Sequence, residues 1–167
     1  KEQSFELTGR GDQVAIVSDG SRVLGLGNIG PEAAMPVMEG KALLFKYLGG
    51  VDATPLCIAR TEPSAIVEFV EAIALSFGGI NLEDLSTPKC FRVLEALETS
   101  LEIPVWHDDQ QGTAVAAVAG LMGALRIVGK EIGKARISLI GAGAANTAVY
   151  RLLKAAGADP SLVRVCD

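Results

Sequence analysis

The sequence predicts an α/β protein: an α/β domain followed by the start of a doubly wound parallel sheet. From residue 80 onward, short apolar runs alternate with longer segments in which apolar residues recur every three to four positions. Such alternation is typical of parallel strands joined by helices. A Gly-Ala-Gly run at 141–143 follows one of these strands and precedes a helical pattern, as in Rossmann-like nucleotide-binding units. We place the domain boundary at 110/111, so that residues 1–110 and 111–167 form the two domains.

The first half of the chain is predicted from apolar runs and turn signals. A strand at 14–18 meets Asp19-Gly20, a tight-turn signal, and we expect a hairpin with residues 22–26. A helix follows at 38–48, ended by Gly49-Gly50, and its apolar positions fall on one face: Leu43, Leu44, Tyr47 and Leu48. A strand at 51–59 and a helix that begins at Pro63 complete this half.

The second half has a regular rhythm. The expected strands are 80–82, 103–106, 136–140 and 162–166, and the expected helices are 88–99, 112–128 and 144–156. Cys57, Cys90 and Trp106 lie in apolar surroundings and are expected to pack in the core.

Composition excludes several classes of partner. The net charge is −5 with pI about 4.9, and no run of Lys or Arg is present, which argues against nucleic acid and anionic membranes. Three widely spaced cysteines do not indicate a disulfide framework, so we expect a reducing, cytoplasmic location. We expect neither a signal peptide nor a transmembrane segment. Small molecules and protein subunits remain as partners.

Both ends of the chain suggest a larger protein. The sequence begins at Lys1 rather than Met and stops at Asp167, directly after a strand-like run. A complete dinucleotide-binding unit needs more strands than follow residue 136. We therefore expect this chain to be the central portion of a longer protein, with the first domain incomplete at its start and the second truncated.

Two glycine runs compete as nucleotide-binding fingerprints. Gly25 to Gly30 matches G-x-G-x-x-G literally, whereas the run from Gly141 has Asn146 at the last position. Context favours the second run, because a strand precedes it, a helix follows it, and Asp167 closes the next strand, where an acid binds the adenine ribose. The first run is expected to be a tight structural turn near the substrate. The predicted cofactor-binding residues are Gly141, Gly143, Ala144, Ala145 and Asp167.

Acidic residues follow two predicted strands. Glu83 and Asp84 come after strand 80–82, and Asp108 and Asp109 come after strand 103–106. The carboxyl ends of parallel strands meet at one edge of a sheet, where ligands bind. These hard oxygen donors suit Mg²⁺ or Mn²⁺. Two alternatives stay open: the Glu83-Asp84 pair as a solvated turn or helix cap, and His107 as a rival ligand.

One lysine and one arginine are candidates for substrate chemistry. Lys41 lies in a mostly apolar helix, where desolvation would favour the neutral amine that a general base needs. The alternative is an exposed surface lysine. Arg22 follows the Asp19-Gly-Ser turn, where its guanidinium could bind a carboxylate through two hydrogen bonds.

Taken together, five ordered runs resemble the bacterial type of the malic enzyme family. The resemblance extends from about residue 5 to the end of the chain and rests on residues 17–30 (VSDGSRVLGLGNIG), 38–42 (MEGKA), 80–84 (INLED), 105–114 (VWHDDQQGTA) and 141–145 (GAGAA). It identifies residues 1–110 with the family's substrate- and metal-binding N-terminal domain, and residues 111–167 with the beginning of its NAD(P)-binding domain.

The resemblance implies oxidative decarboxylation of (S)-malate to pyruvate and CO₂, with NAD or NADP and Mg²⁺ or Mn²⁺. It implies that Glu83, Asp84 and Asp109 bind the metal and that Lys41 is the catalytic base. Arg22 and Asp108 would serve substrate binding, Arg22 through the carboxylate and Asp108 from a position near Lys41. It makes His107 a neighbour of the site, and it suggests a homo-oligomer, a dimer or larger.

Two alternatives to this activity remain: malolactic decarboxylation to lactate, and a non-catalytic remnant that binds nucleotide. The family also has a tyrosine acid in a Tyr-Thr/Ser-Pro-Gly motif, and neither Tyr47 nor Tyr150 lies in such a motif. We therefore expect this chain alone to turn over malate poorly or not at all.

Overall fold

In a computed structural model, which describes residues 2–167, the chain divides into two compact units. The first extends to His107 and the second runs from Asp108 to Asp167. This division lies close to the boundary drawn at 110/111. The assignment of the two domains to substrate and cofactor binding stays a prediction.

The first unit alternates helices and strands throughout. In chain order its elements are α1 (Gln3–Leu7), β1 (Gln13–Ser18), α2 (Gly30–Gly49), β2 (Asp52–Cys57), α3 (Pro63–Ile73), β3 (Gly79–Leu82), α4 (Lys89–Ser100) and β4 (Val105–His107). Short 3-10 turns occupy Gly9–Asp12 and Ala74–Ser76.

Four parallel strands form the sheet of this unit, in the order β2-β1-β3-β4. β1 is a central strand, and Ala15, Ile16 and Val17 are completely buried. Because all four strands run the same way, their carboxyl ends lie along one edge. Leu82 at the end of β3 pairs with His107 at the end of β4.

The expected hairpin at 14–26 is wrong. β1 has β2 on one side and β3 on the other, so neither edge is available to an antiparallel partner. Residues 22–26 instead form a compact loop with a single bridge, Val23 to Gly27. Gly25, Gly27 and Gly30 have φ of 77°, 78° and 77°, and the tight turn expected for this glycine run is confirmed.

Helix α2 begins at Gly30, eight residues before its predicted start at 38 and directly after the turn that contains Gly25 and Gly27. The residues it buries are Ala34 and Met38, whereas the apolar face predicted at 43–48 is exposed: Leu43, Leu44, Tyr47 and Leu48 are 51 to 81% exposed. The helical period was correct, but periodicity does not determine which face meets the sheet.

The second unit contains one βαβ motif. Its elements are a π-helical turn (Asp108–Gly112), α5 (Thr113–Ile127), β5 (Ile137–Ile140), α6 (Ala144–Ala155) and β6 (Val163–Cys166), with 3-10 turns at Ile132–Lys134 and Pro160–Leu162. β5 and β6 are parallel. The core is formed by α5, α6 and β5 through Val118, Leu139, Val149 and Leu153. The predicted α/β class is confirmed, and strands β3 to β6 lie within two residues of their expected bounds.

The expected core residues are only partly buried. Cys90 is completely buried and Cys57 is half-buried, but Trp106 is 41% exposed because β4 is the edge strand of the sheet. None of the three cysteines forms a disulfide bond among residues 2–167. Among residues 2–167, no helix combines the length and the apolar character that crossing a membrane requires.

Candidate active site

Buried polar side chains cluster where β1, β3 and β4 end. Asp19 follows β1, Glu83 and Asp84 follow β3, and His107 closes β4. These four residues are at most 7% exposed. The backbone N–H of Glu83 donates to the carbonyl of Val17 at 3.0 Å, so β3 stays aligned with β1 up to the acidic pair. The solvated-turn alternative for Glu83 and Asp84 is therefore wrong.

Lys41 extends from α2 to the first of these carboxylates. Its Nζ lies 3.0 Å from Oε2 of Glu83, and the two side chains are 22% and 10% exposed. Nδ2 of Asn81 donates to the same oxygen at 2.9 Å. The alternative of an exposed surface lysine is excluded by this geometry, because the amine is an ion-pair partner in a largely buried position.

The loop that carries Arg22 is tied to the acidic pair. The backbone N–H of Arg22 donates to the carbonyl of Asp84 at 3.0 Å, and Ser86 N–H donates to Oγ of Ser21 at 2.9 Å. Asp84 has φ of 55°, a conformation that Asp tolerates better than most residues. Arg22 itself is exposed. The backbone of Arg22 is therefore held at the buried acidic pair, and its side chain is exposed.

Sequence reasoning missed a second ion pair in this region. Nζ of Lys89, in the first turn of α4, contacts Oδ2 of Asp19, and the two side chains are 14% and 0% exposed. Oδ1 of Asp19 accepts from Ser21 N–H at 3.1 Å, and Lys89 also donates to the carbonyl of Thr61 at 3.3 Å. One signal was present: a lysine in the first helical turn opposes the helix dipole and indicates a tertiary partner.

The second unit begins with the remaining acidic candidates. Asp108 and Asp109 are half-buried and open the π-helical turn, a conformation frequent at functional sites. The side chain of Asp108 folds back over Gly112, where a Cβ would collide with its Oδ1. A larger residue at 112 would therefore displace the carboxylate of Asp108 from this position.

The glycine loop of the second unit joins β5 to α6. Gly141 has φ of 97°, and its N–H donates to the carbonyl of Cys166 at 2.6 Å. Oδ1 of Asp167 accepts from Ala142 N–H at 3.0 Å, so the predicted ribose-binding acid lies at the loop. Asn146, which departs from the fingerprint, donates to the carbonyls of Ile140 at 2.7 Å and Gly141 at 2.9 Å. It closes the loop by hydrogen bonds.

The donor chemistry of the first unit fits a hard divalent cation. Glu83 and Asp84 are 7% and 4% exposed, and burying two carboxylates costs free energy unless cations compensate them. Lys41 contributes one positive charge to this pair. Carboxylate oxygens are the donors that Mg²⁺ and Mn²⁺ prefer.

A parallel-sheet unit with buried acidic strand ends and a paired lysine, followed by a βαβ motif with a glycine loop, is typical of nucleotide-dependent oxidoreductases. The family model for the N-terminal domain of malic enzyme matches residues 3–98. The chain belongs to the malic enzyme family, and the resemblance drawn from its five motifs is confirmed.

Relatives and solved structures agree with this assignment. The NAD-dependent malic enzyme of Geobacillus stearothermophilus is 54% identical over 155 residues, which cover 93% of this chain and 32% of that protein. The NADP-dependent malic enzyme of Escherichia coli is 44% identical over 165 residues, 99% of this chain and 22% of that protein. The malic enzyme structure from Pyrococcus horikoshii has a TM-score of 0.96 and 58% identity, covering 98% of this chain and 38% of that one. The chain thus spans less than half the length of these relatives.

Proposed function

We propose that the protein containing this chain catalyses oxidative decarboxylation of (S)-malate to pyruvate and CO₂ with NAD or NADP. The observation that carries the proposal is the contact of Lys41 with Glu83 at 3.0 Å, which brings a candidate base to a candidate metal ligand. The relatives named NAD- and NADP-dependent malic enzyme support the same activity. A non-catalytic remnant has no need for this largely buried pair of charges.

Glu83, Asp84 and Asp109 would hold the divalent metal. Leu82 pairs with His107, Glu83 follows Leu82 directly, and Asp109 stands two residues after His107. Consecutive Cα atoms are about 3.8 Å apart, so the Cα of Asp109 lies within about 8 Å of that of His107 at the end of β4. When bound, a divalent cation would supply Lewis acidity to the substrate oxygens.

Lys41, Arg22 and Asp108 would act on the substrate itself. In the ion pair with Glu83 the amine of Lys41 is protonated, so it would first release that proton, which becomes easier once a cation engages the Glu83 carboxylate. The neutral Nζ would then accept the proton of the malate hydroxyl. The exposed guanidinium of Arg22 would bind a substrate carboxylate. Asp108 would contribute to substrate binding from a position near Lys41.

The glycine loop would bind the dinucleotide. The backbone around Gly141 and Gly143 and the first helical amides, at Ala144 and Ala145, would face the pyrophosphate. Asp167, held at this loop by Ala142 N–H, would accept a ribose hydroxyl. Its charge would repel the 2′-phosphate of NADP and thereby favour NAD.

One observation supports a second activity. A relative named bifunctional malic/malolactic enzyme, from Bacillus subtilis, is 51% identical over 149 residues, 89% of this chain and 36% of that protein. Malolactic decarboxylation would release lactate instead of pyruvate, so product analysis separates the two. We also propose that the protein is a homo-oligomer located in the cytoplasm; cysteines that form no disulfide among residues 2–167 support that location.

The test is a pair of lysine variants made in the protein that contains this chain, assayed with malate, Mn²⁺ and NAD⁺ or NADP⁺. Lys41→Met should lower kcat by about 10²- to 10⁴-fold, the usual contribution of a general base. Lys46→Met is the matched control, because Lys46 lies on the same helix in an ion pair with Asp52 whose side chains are 57% and 54% exposed. Its kcat should stay within about twofold of the unmodified protein, since exposed pairs contribute little.

Absorbance of the reduced nucleotide and chromatography of pyruvate and lactate are the readouts. Malate-independent nucleotide reduction, or a Lys41→Met variant as active as Lys46→Met, would contradict the proposal.

Asp109→Asn should weaken Mn²⁺ binding strongly while the circular dichroism spectrum stays unchanged. Unaltered Mn²⁺ affinity would remove Asp109 from the ligand set.

A further inference from the structure

Two different donors reach the same oxygen of Glu83. Nζ of Lys41 lies 3.0 Å from Oε2, and Nδ2 of Asn81 lies 2.9 Å from it. Asn81 lies in β3, and Glu83 directly follows the strand two residues later, so the alternation of side chains brings both to the same side. At least one charged donor and one neutral donor therefore contribute to the orientation of this carboxylate.

The two donors differ in how firmly they are held. Asn81 is 2% exposed and lies on a central strand, paired with Ile16 of β1 and Trp106 of β4. Its side chain is short and its backbone is fixed on both sides. Lys41 has a flexible four-carbon stem, and in the proposed reaction its amine must also reach the malate hydroxyl. Asn81, in contrast, has no proposed role other than donating to Glu83.

The burial of Asn81 costs free energy, so a polar residue at this position calls for an explanation. Its Oδ1 is buried with no hydrogen-bond partner among residues 2–167, so the bond to Glu83 is the side-chain hydrogen bond that compensates this amide. An apolar residue of similar size would avoid the cost of an unsatisfied buried acceptor. Packing alone does not explain an asparagine at this position.

We propose that Asn81 is a positioning residue: its Nδ2 holds the Glu83 carboxylate in the orientation that binds a divalent cation, and it does so independently of Lys41. This inference rests on the metal site proposed above. Hydrogen-bond partners of metal ligands typically affect metal affinity by about 10- to 100-fold. Asn81 lies in the same motif as the acidic pair.

The experiment measures the affinity for Mn²⁺ of the protein that contains this chain, from the electron paramagnetic resonance signal of the Mn²⁺ that stays unbound. Asn81→Leu, which removes the donor at similar volume, should weaken Mn²⁺ binding by about 10-fold or more. Asn81→Leu should also weaken Mn²⁺ binding in the Lys41→Met background, because Asn81 still donates to Glu83 there; the factor can differ, since both donors share one acceptor. Asn81→Thr, whose hydroxyl is shorter than the amide, is the second variant in case leucine prevents folding.

Ile80→Val is the matched control. Ile80 is the neighbouring residue of β3, is 2% exposed, and projects from the opposite face of the strand. This variant removes a buried methylene without altering the contact to Glu83, so its Mn²⁺ affinity should stay within about twofold of the unmodified protein. If Ile80→Val weakens Mn²⁺ binding as much as Asn81→Leu, the effect is a general loss of stability and the inference is overturned.

Glu83→Gln separates failure of this inference from failure of the proposed function. If Glu83→Gln weakens Mn²⁺ binding strongly and the Asn81 variants do not, Asn81 has no positioning role, and the metal site stands. If Glu83→Gln also leaves the affinity unchanged, the metal site itself is wrong and both proposals fall.

Discussion

The two units each present a candidate site at the end of a strand, and the two sites are built in different ways. In the first unit, at the ends of β1, β3 and β4, the site consists of buried charged side chains whose partners are distant in sequence, such as Asp19 and Lys89, 70 residues apart. In the second unit, after β5, the loop consists of backbone amides shaped by Gly141, and its residues are exposed or half-buried.

This difference determines which substitutions each site tolerates. A buried charge is stable only while its partner is present, because removing one member leaves the other uncompensated. A glycine loop depends instead on backbone conformation, which a side chain can exclude even where space is available. The first unit should therefore be sensitive to loss of charge, and the second to loss of glycine.

The largest effect is expected for the buried ion pair of the first unit. Lys89→Met leaves Asp19 buried without its cation and should lower the free energy of unfolding by about 3–5 kcal/mol. The matched variant in the second unit is Lys134→Met, which removes an exposed pair with Glu131 whose side chains are 77% and 73% exposed. That variant should change stability by less than about 1 kcal/mol. Urea denaturation of each variant provides the comparison, and equal losses would show that burial does not distinguish the two pairs.

An intermediate effect is expected for the glycine loop. Gly141→Ala forces a side chain into a backbone with φ of 97° and should cost about 1–3 kcal/mol of stability. Gly143 is the control, since its φ is −76° and a Cβ there would meet nothing within 4 Å. Gly143→Ala should cost less in the same thermal unfolding experiment, its loss being that of replacing glycine by alanine at the N-cap of α6. Similar losses for both variants would mean that conformation is not the reason for glycine at 141.

The smallest effect concerns the thiols that end β2 and β6. Burial raises the pKa of the Cys57 thiol, whereas Cys166 is exposed. A raised pKa lowers the thiolate fraction at any given pH, and only the thiolate is alkylated. Between about pH 7 and 9, iodoacetamide should therefore modify Cys166 before Cys57, and the Cys57 rate should still be increasing at the upper end of that range. Peptide mass spectrometry measures both rates, and faster modification of Cys57 would contradict the expected order.

Some features of the fold followed from local sequence alone. The alternation of strands and helices from β3 to β6, the glycine loop before α6 and the acidic residues that follow β3 are all encoded within a few neighbouring positions. Hydrophobic periodicity and the φ values that glycine permits are local properties, so they can be recognised without knowledge of the fold. The order of five such motifs also identified the family.

Other features depended on elements that are distant in the chain. The hairpin after β1 was excluded by the sheet order β2-β1-β3-β4, which occupies both edges of that strand. The apolar positions at 43–48 of α2 have the predicted helical period but are exposed. Which face of a helix is buried depends on the elements it packs against, and these are distant in sequence.

By itself, the sequence determined the α/β class, the family and the residue types from which a site could be built. Only the tertiary structure decided which side chains meet, as it did for Lys41 with Glu83, Asn81 with Glu83 and Lys89 with Asp19. The physical reason is that helical and strand periodicity arises from neighbouring residues, whereas compensation of a buried charge requires a partner that only the folded sheet brings within reach.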